Sequence, residues 1–135
     1  MGKRVLCCGT FDHLHPGHLS FLEQAAALGS ELVVVVARDE NVKRIKGEYP
    51  DHGEEERRVQ VAALGIAARV VLGYPGGNFL KIVAELRPDI IALGYDQKAP
   101  PGLQEAFPQA QIAVLQPHYP EKYKSSLFRK KPAGT

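Results

Sequence analysis

The stretch Gly9-Thr10-Phe11-Asp12-His13-Leu14-His15-Pro16-Gly17-His18 decides how the rest of the chain is read. Before it stands Arg4 to Cys8, a short apolar and β-branched run ending at Gly9, and after it Leu19, Leu22, Ala25 and Ala26 recur at helical spacing. Pro16 suits an early helical position, where its missing N–H costs nothing, and Gly29 suits the stop. The ten residues therefore form a loop between a buried strand and an amphipathic helix. Gly9 and Gly17 let the backbone approach a ligand closely, while exposed amides and the positive end of the helix favour a phosphate group. His15 and His18 lie three residues apart around the helix start, so both imidazoles reach one oligophosphate and donate to it as negative charge grows. Each residue also has a plainer reading. Gly17 serves as a turn residue, Asp12 or His15 as a cap, and His18 as a solvated side chain on the outer face of the helix.

Outward from this loop the pattern alternates. Glu31 to Ala37 holds four consecutive valines, the mark of a strand buried on both faces. A helix is expected around Glu54 to Leu64, a strand near Arg69 to Leu72, a helix at Asn78 to Leu86, and strands at Asp89 to Leu93 and Gln111 to Leu115. Strands alternating with helices predict an α/β, Rossmann-like doubly wound parallel sheet, read as a single domain over residues 1–135, with ligands beyond the carboxyl ends of the strands. That places a site at the loops Gly9 to Gly17 and Gly94 to Pro101. Pro100, Pro101 and Gly102 read as loop, and Lys43, Arg44 and Lys46 on their own as a solvated loop.

At 135 residues the chain is the size of one ordinary domain, and with 44% hydrophobic and 24% charged residues it is a folding sequence rather than a disordered or collagen-like one. The net charge of +2 is too small to drive indiscriminate binding to nucleic acid or anionic membrane. The apolar run Leu32 to Ala37 is far short of a bilayer span, and Met1 to Leu6 lacks a signal peptide's apolar stretch, so a cytoplasmic location is expected. Cys7 and Cys8 are adjacent in an apolar segment and read as reduced core thiols. A zinc site joining them to the nearby histidines lacks familiar ligand spacing.

Taken together, the ten residues resemble the HxGH signature of the cytidylyltransferase-like nucleotidyltransferases. The resemblance runs across nearly the whole chain: Glu56-Arg57 opens a helix in the corresponding place, Gly94-Tyr95-Asp96-Gln97 follows the fourth strand, and Lys124-Ser125-Ser126-Leu127-Phe128-Arg129 resembles the family's C-terminal serine-rich phosphate loop. The resemblance implies that Thr10 and Phe11 present backbone amides to the nucleotide within the segment closed by Pro16 and Gly17, and that His15 and His18 contact its phosphates. It also implies Asp96 near the ribose or base, Ser125, Ser126 and Arg129 on phosphate, and Lys46 reaching over from the second crossover. On their own, Ser125 and Ser126 read as a helix cap and Asp96 as a turn carboxylate.

The implied chemistry is attack by a phosphate oxygen on the α-phosphorus of a nucleoside triphosphate, expelling pyrophosphate, with a divalent cation, magnesium, offsetting the charge. Within the superfamily, Glu31 to Asp39 and Asp89 to Lys98 most resemble the archaeal-type FAD synthases, which adenylylate FMN using ATP; Tyr123 matches a nucleotide-contacting tyrosine of that subgroup. Relatives that make CDP-glycerol from glycerol 3-phosphate and CTP, or ADP-heptose from heptose 1-phosphate and ATP, share the first loop and stand as alternatives. Phe79, Tyr74, Tyr119 and Phe128 are candidates either to line an acceptor slot or to pack. A nucleotide-binding module without turnover is the reading of another class, set against the intact HPGH and the lack of aromatic platforms beside the basic end. The resemblance also implies homodimers, with no motif that fixes the interface.

Overall fold

The computed structural model of the chain describes residues 2–95, 97 and 99–116. Five strands form one parallel sheet in the order β3-β2-β1-β4-β5, where β1 is Arg4–Gly9, β2 Glu31–Val36, β3 Arg69–Leu72, β4 Ile90–Leu93 and β5 Gln111–Val114. The chain first winds outward from β1 to β3 and then returns to β4 on the other side of β1. Loops leaving β1 and β4 therefore diverge at the switch in strand order, where doubly wound sheets bind ligands.

Alternation along the strands assigns the two faces. Val5 and Cys7 of β1, with Leu32, Val34 and Val36 of β2, face a core built with Leu22 and Ala25 of α1 (Pro16–Ala26) and Val61 of α3 (Glu54–Ala63). Leu6, Val33 and Val35 face the opposite core, built with Ile82, Val83 and Leu86 of α4 (Phe79–Leu86) and Leu103 of α5 (Leu103–Ala106). Both layers exclude water from the valine-rich strand, which is why β2 carries no polar alternation. Cys7 and Cys8 are free thiols on opposite faces of β1, and burial raises both, Cys8 to about 11. They share no site, and the zinc reading that paired them with histidines falls away.

One helix lies where a loop was expected, and a second, short one follows the loop at Pro100 to Gly102. Lys43, Arg44 and Lys46 belong to the last turn of α2 (Asp39–Lys46), not to an irregular loop. Only Val42 of its apolar residues is buried, and Ile45 points to solvent, so no apolar stripe advertises the helix. Polar contacts hold it instead: Asp39 and Glu40 sit in its first turn, basic residues in its last, and Gly47 closes it at φ 91°. Behind Pro101 and Gly102, the short α5 buries Leu103. Tyr74 and Phe79 are partly buried and pack against the second core. Tyr119 and Phe128 lie outside the described residues. No described helix is long and apolar enough to cross a membrane.

Candidate active site

The end of β1 turns sharply. Phe11 adopts a left-handed backbone conformation, φ 55°, uncommon for a side chain of its size, and its ring is buried. A Cβ at Gly9 would come within 2.9 Å of that ring, so glycine is what allows the ring to fold back against the strand end. The ring meets His18 edge-on at 5.6 Å and Phe21 at 6.4 Å, forming the floor beneath the first turn of α1.

His15 is the N-cap of that helix. Its Nδ1 accepts from the Gly17 amide at 3.0 Å, and Pro16 occupies the position that needs no donor. An Nδ1 that accepts an N–H holds no proton, so in the neutral ring the proton sits on Nε2. A Cβ on Gly17 would lie 2.8 Å from His15 Cε1, which makes the bare glycine a condition of this ring position. His18 stacks on His15 with centroids 4.0 Å apart and planes 27° from parallel.

Burial and then the adjacent His15 push His18 down to about 4 against an opposing pull from the His13 backbone, with the Lys46 ammonium adding a smaller downward push; burial also lowers His15. Both shifts favour the neutral imidazoles. The His18 Nδ1 is buried without a hydrogen-bond partner among the described residues, a polar group held in reserve.

A cleft of about 360 Å³ is lined by Thr10 and Asp12 of the loop after β1 and by Val42, Lys46, Glu48, Tyr49, Pro50 and Asp51. Asp12 ties the walls together. Its Oδ2 accepts from the Asp51 amide at 2.7 Å, and its Oδ1 from the His52 amide and ring Nδ1, each at 3.0 Å. Desolvation works to raise the Asp12 carboxyl, but these three donors and nearby His13 hold it down to about 2; the same pairing raises His52.

Beneath the cleft, Arg57 is fully buried on α3 and donates to the His52 carbonyl at 2.8 Å, the Thr10 carbonyl at 2.9 Å and Asp39 Oδ1 at 2.6 Å. One guanidinium thus fixes the β1 loop, the turn before α3 and the start of α2. Its position four residues before Val61, on the apolar face of α3, is the sequence signal that marks it as inward-facing. Across the switch point, Gln97 accepts from the Gly94 amide at 2.7 Å and donates to the Cys8 carbonyl at 3.2 Å, joining the β4 loop to the end of β1.

Of the residues singled out in the sequence, the structure gathers Thr10, Phe11, His15, Pro16, Gly17 and His18 between the end of β1 and the start of α1, with Lys46 sharing the cleft lining with Thr10 and its charge acting on His18. Asp12 acts as a structural anchor. Asp96, Tyr123, Ser125, Ser126 and Arg129 lie outside the described residues. The anchoring roles of Arg57 and Gln97 and the place of Tyr49 in the cleft wall emerge only from the fold.

Residues 6–131 match the family model described as cytidylyltransferase-like. The chain belongs to the cytidylyltransferase-like family. This cytidylyltransferase-like chain is 53% identical over 95 residues to the FAD synthase of Aciduliprofundum boonei, a match covering 70% of this chain and 62% of that protein. It is likewise 53% identical over 95 residues to the FAD synthase of Methanosarcina barkeri, covering 70% of this chain and 66% of that one. The chain thus spans less than two thirds of these two relatives. Against the FAD synthase of Thermococcus sibiricus it is 42% identical over 127 residues, covering 93% of this chain and 86% of the relative. Among solved structures, a lipopolysaccharide core biosynthesis protein from Thermoplasma volcanium superimposes with a TM-score of 0.80 at 38% identity, covering 87% of this chain and 99% of that chain. A pantoate-beta-alanine ligase from Francisella tularensis shares the fold alone, with a TM-score of 0.53 at 15% identity over 87% of this chain and 61% of that chain.

Proposed function

We propose that this chain, as one domain over residues 1–135, transfers the adenylyl group of ATP to FMN, forming FAD and pyrophosphate. The observation that carries this reading is the stacked pair His15 and His18 at the positive end of α1, with the Lys46 charge acting on His18. An FMN phosphate oxygen attacks the α-phosphorus; the new P–O bond forms as the bond to the β-phosphate breaks, and pyrophosphate leaves with the bonding electrons. The attacking monoester is largely ionised near neutral pH, so no protein nucleophile is needed. Thr10 and Phe11 hold the nucleotide from the backbone, with Pro16 and Gly17 shaping the loop. His15 Nε2 donates to phosphate oxygens, His18 neutralises charge growing on the leaving group, and Lys46 screens the repulsion between the substrates.

Asp96, Tyr123, Ser125, Ser126 and Arg129 complete the nucleotide contacts in this reading, on the resemblance alone. The support for FMN is the set of FAD synthase relatives, together with Tyr49, 60% exposed in the cleft wall and able to stack on a flat heterocycle. Magnesium takes one or two carboxylates and fills its remaining positions with phosphate and water. The carboxylate of Glu48 in the cleft wall fits that need and would hold the ion. When bound, it supplies charge neutralisation to the phosphates. We place the enzyme in the cytoplasm, as a homodimer.

Pyrophosphate release with ATP or CTP crossed against FMN, glycerol 3-phosphate and heptose 1-phosphate tests this reading. ATP with FMN gives the fastest release. The likeness to a lipopolysaccharide core biosynthesis protein favours a sugar or polyol phosphate as the second reading, and a faster rate with either of those acceptors would establish it. Nucleotide binding with no release for any pair would make the chain a binding module.

A further inference from the structure

We propose that Asp12, His13 and His52 form a binding site for a divalent transition-metal ion such as Zn²⁺ or Co²⁺, separate from the magnesium that accompanies the nucleotide. One ligand atom from each of the three residues lies within 4.8 Å of the other two. The residues come from two segments, the loop after β1 and the turn before α3, and converge through the fold rather than through sequence spacing. Asp12 Oδ1 and His52 Nδ1 stand 3.0 Å apart, already close to the separation of about 3.3 Å that two donors adopt around a tetrahedral zinc. A metal would take the place of the proton they now share. His13 lies next to them, its ring 4.9 Å from that of His52 and near perpendicular to it, with Asp51 Oδ2 2.7 Å from its Nε2 as a further carboxylate.

The surroundings favour metal binding over a chance meeting of side chains. Both backbone amides that reach Asp12 persist when the shared proton is exchanged for an ion, so the carboxylate is held in place by contacts the metal does not disturb. The His52 carbonyl is anchored to the buried Arg57, which fixes the turn. His13 is 64% exposed, leaving room for water to fill an open coordination position. Two imidazoles and a carboxylate are a borderline donor set that selects zinc, cobalt or nickel over magnesium, whose preference is for oxygen. An ion here would clip the first loop to the turn before α3.

The test uses the untagged full-length chain, stripped with EDTA and desalted, titrated with Zn²⁺ by calorimetry and with Co²⁺ by visible absorption. One ion per chain is expected, with d–d bands of low coordination number and a rise in melting temperature on adding zinc. His13→Asn, at an exposed position that leaves the fold intact, and His52→Gln should each weaken affinity about 10- to 100-fold. His18→Asn should leave it unchanged, which separates this cluster from the neighbouring stacked pair. No saturable binding, unchanged affinity in both cluster variants, or loss of binding in His18→Asn would overturn the proposal. None of these readouts depends on which reaction the chain catalyses.

Discussion

The imidazole of His18 lies stacked on that of His15, centroids 4.0 Å apart, over the edge of the buried Phe11 ring. Two rings packed this closely oppose each other's protonation, and burial reinforces the effect. Both effects favour the neutral rings, and an anion bound against the pair would favour their protonation.

Nucleotide binding should take up protons. A triphosphate beside the pair favours imidazolium, raising His18 from about 4 and His15 from its lowered value. ATP affinity then increases as pH falls from 8 toward 6, and the calorimetric binding enthalpy changes with the ionisation enthalpy of the buffer. His18→Asn should show a smaller proton uptake.

Stability should respond to acid with a definite sign. The unfolded His18 titrates at its ordinary 6.5 and the folded one at about 4, so the unfolded state gains protons first and stability falls as pH drops through that window. Asp12 contributes the next loss, from its ordinary 3.8 down to about 2. His52 works in the opposite direction: its raised value gives stability that is complete below 6.5 and is lost as pH climbs through the folded value. Urea unfolding of His18→Asn should show a shallower decline between pH 6.5 and 4 than the unaltered chain.

Gly17→Ala should damage catalysis more than folding. The added methyl collides with His15 at Cε1 and Nδ1, and an exposed ring yields by swinging away from the cap. Displacements of this size cost up to about 10²-fold in rate, while the lost cap costs about 1 kcal/mol. Turnover and melting temperature measured on the same preparation check the split.

Asp39→Ala removes the one carboxylate paired with Arg57 among the described residues and leaves a guanidinium with no exposed surface facing only carbonyls. A loss of about 3–5 kcal/mol is expected in chemical denaturation. A loss below about 1 kcal/mol, the range of surface pairs, would show that Arg57 does not hold the loop, the turn and α2 together.

Much of this organisation was legible in the sequence. The four valines of β2 and the run at Arg69–Leu72 marked buried parallel strands, and the position of Pro16 marked the start of α1, because each of these signals is local. The α2 helix was not legible, since Asn41 is buried by bonding to the Tyr74 carbonyl at 3.0 Å and Glu54 caps the Asp39 amide at 2.8 Å, contacts with partners distant in the chain. The same reason hid Asp12, whose composition suits a cap but whose donors are Asp51 and His52. His15 reads as a cap and as a phosphate ligand, and the geometry reconciles the two: one ring nitrogen caps the helix while the other keeps its proton.

The most direct test is a single-turnover reaction of excess enzyme with ATP and FMN, following FAD and pyrophosphate together in the unaltered chain and in His18→Asn. The account predicts one pyrophosphate per FAD, with the variant slowed about 10²- to 10³-fold while its ATP affinity near pH 8 changes little. FAD formation at an undiminished rate in the variant would contradict it.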